Sequence, residues 1–107
     1  MLFRSDPSRV QVEPLVVRAR PGQTAKANIV IENPLPTAES LHLRLDHGQV
    51  ASPWSRDVTV PPNSVVHVEM SFVVSDKLTP GRYVLPLVIT SNEIEDSSDC
   101  FVVLDVR

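Results

Sequence analysis

In VHVEMSFV, Val66, Val68, Met70 and Phe72 alternate with His67, Glu69 and Ser71. A period of two sends the apolar set to one face of an extended strand, whereas a helix would scatter it around its axis. The pattern recurs along the chain. Ala25, Ala27, Ile29 and Ile31 oppose Lys26, Asn28 and Glu32; Leu41, Leu43 and Leu45 oppose His42, Arg44 and Asp46; Tyr83, Leu85, Leu87 and Ile89 form another inward set. No segment sustains a helical period, so the chain is predicted to be all-β.

Prolines and turn residues divide these runs. A first strand lies within Val10–Val17 and is interrupted at Glu13-Pro14, and RPGQT (20–24) supplies a turn into the second. The second strand ends at Asn33-Pro34, and NPLPTAE leads to the third around Leu41–Leu45. Val58 and Val60 mark a short fourth strand, closed by Pro61-Pro62-Asn63 before the long fifth. SDKLTPG precedes the sixth, SNEIEDSSD reads as an acidic loop, and Phe101 begins the seventh. With 107 residues, 10 prolines and only 3 glycines, this is the spacing of one domain, residues 1–107. The expected fold is a seven-stranded antiparallel immunoglobulin-like (fibronectin type III-like) β-sandwich.

Two details of the sixth strand matter. In such sandwiches the chain changes sheets before this strand, and a tyrosine at its start can bond its hydroxyl to nearby backbone. Pro80-Gly81 is expected to make the crossing and Tyr83 to pin it. Pro86 conflicts with a central strand because it lacks an N–H, so a bulge or a position nearer an edge is expected there.

The order of landmarks from Val12 to Val88 resembles bacterial immunoglobulin-like modules of the NPCBM-associated and CARDB-like types. It is carried by VEPLVVRARPGQTAKANIVIENP, by Pro53-Trp54, by VTVPPNSVVHVEMSF and by LTPGRYVLPLVI. The chain departs from those modules in having Pro-Pro-Asn-Ser where a glycine is common, and in Pro86. The resemblance implies a non-catalytic accessory module acting as spacer, binding surface or assembly contact.

Composition limits the functional classes. A net charge of −3 and a pI near 5.5 disfavour nucleic-acid binding. One cysteine, Cys100, allows no internal disulfide, and no nucleophile motif surrounds it. His42 and His47 are spaced to fall on opposite faces, and His67 lies on the polar face of its strand, so no zinc set is expected. Glu93, Glu95, Asp96 and Asp99 are dense enough to raise calcium, but the EF-hand pattern is absent and a solvated loop is the expectation. No cofactor and no enzymatic activity are expected. No signal peptide or membrane-length apolar run is visible, which leaves the compartment open between cytoplasm and an excised extracellular module.

The leading expectation is a structural or protein–protein interaction module using edge strands and end loops, its termini emerging at opposite ends. Its partner would be another protein or a second copy, with no nucleic acid and no membrane insertion. Arg4 and Arg9 are expected near the acidic residues Glu93, Glu95 and Asp96. The first and last segments are the expected edges. Val102, Leu104 and Val106 oppose Phe101 and Val103, so the last strand is apolar on both faces and a candidate contact. The alternative is a carbohydrate or surface-polymer module using Trp54, placed in a loop at the opposite end. Only 5% of residues are aromatic, which gives that reading few stacking platforms.

Overall fold

The computed structural model describes residues 9–91, 94–96 and 100–107. Every regular element among them is a strand: β1 (Arg9–Glu13), β2 (Val16–Ala19), β3 (Thr24–Asn33), β4 (Glu39–Leu45), β5 (Ser55–Val60), β6 (Ser64–Val73), β7 (Gly81–Ser91), β8 (Ile94–Asp96) and β9 (Phe101–Val106). They form two sheets. The smaller has the order β1-β3-β6; the larger runs β2-β9-β7-β4-β5, with β8 added to β7.

The expected alternation sets this arrangement. Inward residues of β3 face those of β6 across the ladder: Ala25 opposite Phe72, Ala27 opposite Met70, Ile29 opposite Val68. Small side chains opposite large ones let the layer fill at interior density. Leu43 and Leu45 of β4, Leu87 of β7 and Leu104 of β9 close the core from the other sheet, each fully buried. Burial of one such side chain contributes about 1.5–3 kcal/mol relative to exposure.

The expected seven strands become nine for two reasons. At Glu13-Pro14, a cis peptide, the first strand divides. Its β1 half pairs antiparallel with β3, and its β2 half crosses to the other sheet and pairs parallel with β9. Within the segment expected to be a loop, Ile94–Asp96 turns back along Ile89–Ser91 as β8.

Pro86 resolves differently from either expectation. β7 is central, between β9 and β4. Leu87 N–H donates to Cys100 O, so the backbone nitrogen of the preceding residue is directed toward β4. The β4 ladder stops there, at Leu45–Leu87. The Pro86 carbonyl still accepts Asp46 N–H at 2.8 Å, and the missing donor falls beyond the last ladder pair.

The turns follow their residues. Gln23 N–H donates to Arg20 O at 3.0 Å across Pro21-Gly22, and Gly22 takes φ +83°, the arrangement of a type II turn. Asn63 adopts φ 50° before β6, a left-handed conformation that asparagine tolerates better than most non-glycine residues. Because β2 and β9 run parallel, the beginning of β1 and the end of β9 lie at opposite ends of the sandwich.

Candidate functional site

The step from β6 to β7 is fastened as the sequence implies. The Tyr83 hydroxyl donates to Thr79 O at 2.8 Å and lies 3.2 Å from Thr79 Oγ1, while its ring packs against the core. A second polar clamp was not foreseen. Asn33, almost fully buried, donates from Nδ2 to Thr37 O, Val60 O and Pro61 O and accepts Leu35 N–H on Oδ1. It ties the Pro-rich loop after β3 to the end of β5. Both residues serve the scaffold.

The candidate edge contacts divide. β1 is an edge of the smaller sheet and β2 an edge of the larger. β9 is not an edge, because it lies between β2 and β7. Val102 and Leu104 are fully buried in the core, which corrects their expected role as contact residues. Their parity turns them toward the smaller sheet, and the parallel addition of β2 separately covers the side of β9 that the expected topology left open.

Between β1 and the start of β9 lies a recess of about 350 Å³, lined in part by Val10, Val12, Leu15, Cys100 and Phe101. The buried Cys100 Sγ donates to Val10 O at 3.2 Å, joining the two strands at this seam. Arg9 has Glu32 as its cross-strand partner on β3. Glu95 and Asp96 lie on β8, in register with Thr90 and Ile89. Arg4 and Glu93 fall outside the described residues, as does the expected ionic contact between arginines and acidic run.

Trp54 sits at the entry to β5. Leu45 N–H donates to its carbonyl, Leu45 is in register with Leu87, and Leu87 bonds Cys100. Trp54 therefore lies across the width of the sheet from the β1 seam, at the base of a loop whose residues 50–52 reach Val73–Ser75 near the Gly22 turn, the end away from Arg9. The half-buried ring packs against the core, with Arg56 Cζ 5.9 Å from its centroid. Beside it is a recess of about 210 Å³ bordered by Arg44, Asp46 and His47.

Isolated polar contacts complete the picture. His42 Nδ1 lies 2.6 Å from Asp57 Oδ1 on an exposed face, and His47 Nδ1 lies 2.7 Å from Gly48 O. Among the described residues no group of three or more His, Cys, Asp or Glu side chains converges as a metal site would need.

The outer face of the larger sheet carries apolar side chains beyond those expected from alternation. In YVLPLVI the odd-numbered positions supply the core, but Val84 and Pro86 face outward beside Val103 and Phe101. The signal was present: an apolar run on both parities, with its even positions continued by the same pattern in β9.

Comparison with known proteins places the fold. No protein-family model matches the chain, and no curated protein matches it in sequence. Solved structures do match. A CARDB domain from Pyrococcus furiosus, determined with two metal ions, is 12% identical, with a TM-score of 0.64 over 100% of this chain and 93% of that one. The Pseudomonas fluorescens DNA glycosylase AlkC, bound to DNA containing an abasic-site analogue, gives a TM-score of 0.59 at 16% identity. This chain is covered over 97% of its length but spans only 31% of AlkC. A type I cohesin–dockerin complex from Clostridium thermocellum aligns with 92% of this chain and 99% of the matched chain, at 11% identity and a TM-score of 0.50. At these identities the shared property is the fold: an all-β, immunoglobulin-like sandwich module.

Proposed function

We propose that the chain is a non-catalytic protein-interaction or assembly module. The observation that carries this reading is the β1 seam. Among the described residues β1 pairs only with β3, and its other side borders a largely apolar recess reaching Leu15 and Phe101. An extended segment of a partner can add to such an edge, with main-chain bonds giving affinity and the recess selecting side chains. Cohesins, among the chains sharing this fold, are solved with dockerin partners, which supports the same use here. Arg9, at the start of β1, and the acidic residues beyond the seam are candidate polar contacts.

Carbohydrate binding through Trp54 is the weaker reading. The ring already packs on the core and against Arg56, leaving less surface for a sugar to stack on. Quenching of Trp54 fluorescence by an oligosaccharide would favour it.

Light scattering over a concentration series, then co-purification with products of neighbouring genes, tests the module reading. A mass above 11.8 kDa or a defined complex, either one weakened by Arg9→Glu, supports it. A monomer that captures none of those proteins, or one that turns over a substrate, overturns it.

A further inference from the structure

On the outer face of the larger sheet, Val16, Val103 and Val84 stand side by side on β2, β9 and β7. The next row holds Phe101 opposite Pro86. Cross-strand neighbours of this kind have Cβ atoms about 4.5–5.5 Å apart, so these side chains form one patch. Val84 is 60% exposed, and Val16 and Phe101 are each 38% exposed. Leu15, 50% exposed, precedes Val16 at the sheet edge, where its carbonyl accepts Val103 N–H, and lines the recess toward β1. The outer face of the smaller sheet is mostly polar, with Gln11, Glu13, Lys26, Asn28, Glu32, His67 and Glu69, and its exposed valines, Val65 and Val73, stand apart at the two ends of β6.

Charge is placed unevenly around the patch. Beyond the valine row, Arg18, Asp105 and Arg82 are in register across the same three strands. Arg18 Nε and Arg107 Nη2 both approach Asp105 Oδ2, at 3.8 and 3.3 Å. One largely buried carboxylate thus meets two arginines and has a third, Arg82, as its cross-strand neighbour, and all three arginines are exposed. Toward β4 the border is mixed, with Arg44 and Asp46 both exposed. In a chain of net charge −3, this end of the patch is locally cationic.

We propose that the outer face of the β2-β9-β7 strands docks an apolar segment of another protein that carries a run of carboxylates at one end. The apolar side chains cover Val16, Val84, Phe101 and Val103, and the carboxylates lie over Arg18, Arg82 and Arg107. The arginines fix the direction of the segment, because a reversed segment leaves its carboxylates without them. The proposal rests on the reading of the chain as an interaction module and assigns it a partner chemistry and a surface that meets the β1 recess at Leu15 and Phe101 but is centred on Val16, Val84 and Val103.

The test uses the whole chain and three synthetic peptides: an apolar core with a Glu/Asp flank, the same core with a Lys/Arg flank, and the acidic flank alone. Binding is followed by fluorescence anisotropy and by amide chemical shifts. The acid-flanked apolar peptide is expected to bind and to shift Val16, Val84, Phe101 and Val103. Its affinity falls several-fold between about 50 and 300 mM salt. Val84→Glu weakens it by about ten-fold or more without moving the unfolding midpoint, a loss equal to about 1.4 kcal/mol. Arg18→Glu combined with Arg82→Glu transfers preference to the Lys/Arg-flanked peptide.

No binding, equal binding of both flanked peptides, or shifts confined to β1 or β5 would overturn the proposal. So would a Val84-dependent dimer in place of peptide binding, or a preference for phosphatidylserine-containing vesicles over the peptide. If Arg9→Glu abolishes assembly while Val84→Glu has no effect on peptide or partner, the module reading stands and this face falls.

Discussion

The Tyr83 hydroxyl reaches back four residues and donates to the carbonyl of Thr79 at 2.8 Å. That bond joins the first inward residue of β7 to the loop that brings the chain over from β6, so one side chain fixes both the crossing and the start of a central strand. Tyr83→Phe keeps the ring in place and removes the donor. A net hydrogen-bond contribution of about 0.5–1.5 kcal/mol is lost, and the Thr79 carbonyl turns to water. For a domain of this size each kcal/mol lowers the melting temperature by about 4–8 °C. Thermal unfolding of the two proteins measures the difference, and an unchanged midpoint would remove the pinning role.

Asn63, at φ 50°, occupies a conformation that costs an ordinary L-residue roughly 1–2 kcal/mol. Asn63→Gly is expected to stay within about 0.5 kcal/mol of the parent, because relief of strain is offset by the added freedom of the unfolded chain. Asn63→Val is expected to lose about 1–2 kcal/mol. Urea unfolding with an unchanged m-value distinguishes the two. Equal losses for glycine and valine would assign the role of Asn63 to its side chain and not to its backbone.

The alternating runs made the strands legible, because burial of one face writes a period of two directly into the residues: Ala25 to Ile31, Leu41 to Leu45 and Val66 to Phe72 all entered the core as expected. Tyr83 was legible because a turn residue pair precedes it at a fixed offset. The split at Glu13-Pro14 was visible as an interruption, but not the destination of each half. Which sheet β2 joins depends on the open side of β9, a long-range pairing that local sequence does not encode. That same pairing closed the edge at β9, while the parity of Val102 and Leu104 directed them into the core. The outward patch was only half legible: the last strand stood out as apolar on both faces, but Phe101 was expected to look inward and Val102 and Leu104 to be contacts, the reverse of their placement, and Val84 was not singled out beside the inward set Tyr83, Leu85, Leu87 and Ile89.

Asn33 is a polar residue at a core position, acceptable because its side-chain amide is satisfied on every side. Its Nδ2 lies 2.9 Å from Thr37 O and 3.2 Å from both Val60 O and Pro61 O, while Oδ1 accepts Leu35 N–H at 3.0 Å. Asn33→Ala leaves these partly buried backbone groups without it, at about 1–3 kcal/mol for each that finds no water. A total loss of about 3 kcal/mol is expected, seen as a lower urea midpoint and as faster amide exchange at Leu35 in the loop following β3. Asn33→Asp is expected to recover little, since a carboxylate can keep the Leu35 bond but repels the three carbonyls and brings a charge into the core.

The two faces of β9 and β7 should respond oppositely to truncation. Leu104 is fully buried, whereas its cross-strand neighbourhood on the other parity, Val103 beside Val84, looks outward. Leu104→Ala removes buried methyl groups and leaves a cavity between the sheets, a loss of about 2–5 kcal/mol. Val84→Thr exchanges one exposed β-branched side chain for another, keeps strand propensity, and should shift stability by no more than about 0.5 kcal/mol. Equilibrium unfolding of both variants checks the pair. If Val84→Thr destabilises as strongly as Leu104→Ala, the outer valines are needed to hold the sandwich together, and their exposure is no sign of a surface kept open for a partner. If it is silent in stability, the apolar character of that face is unexplained by folding and is available to be explained by binding.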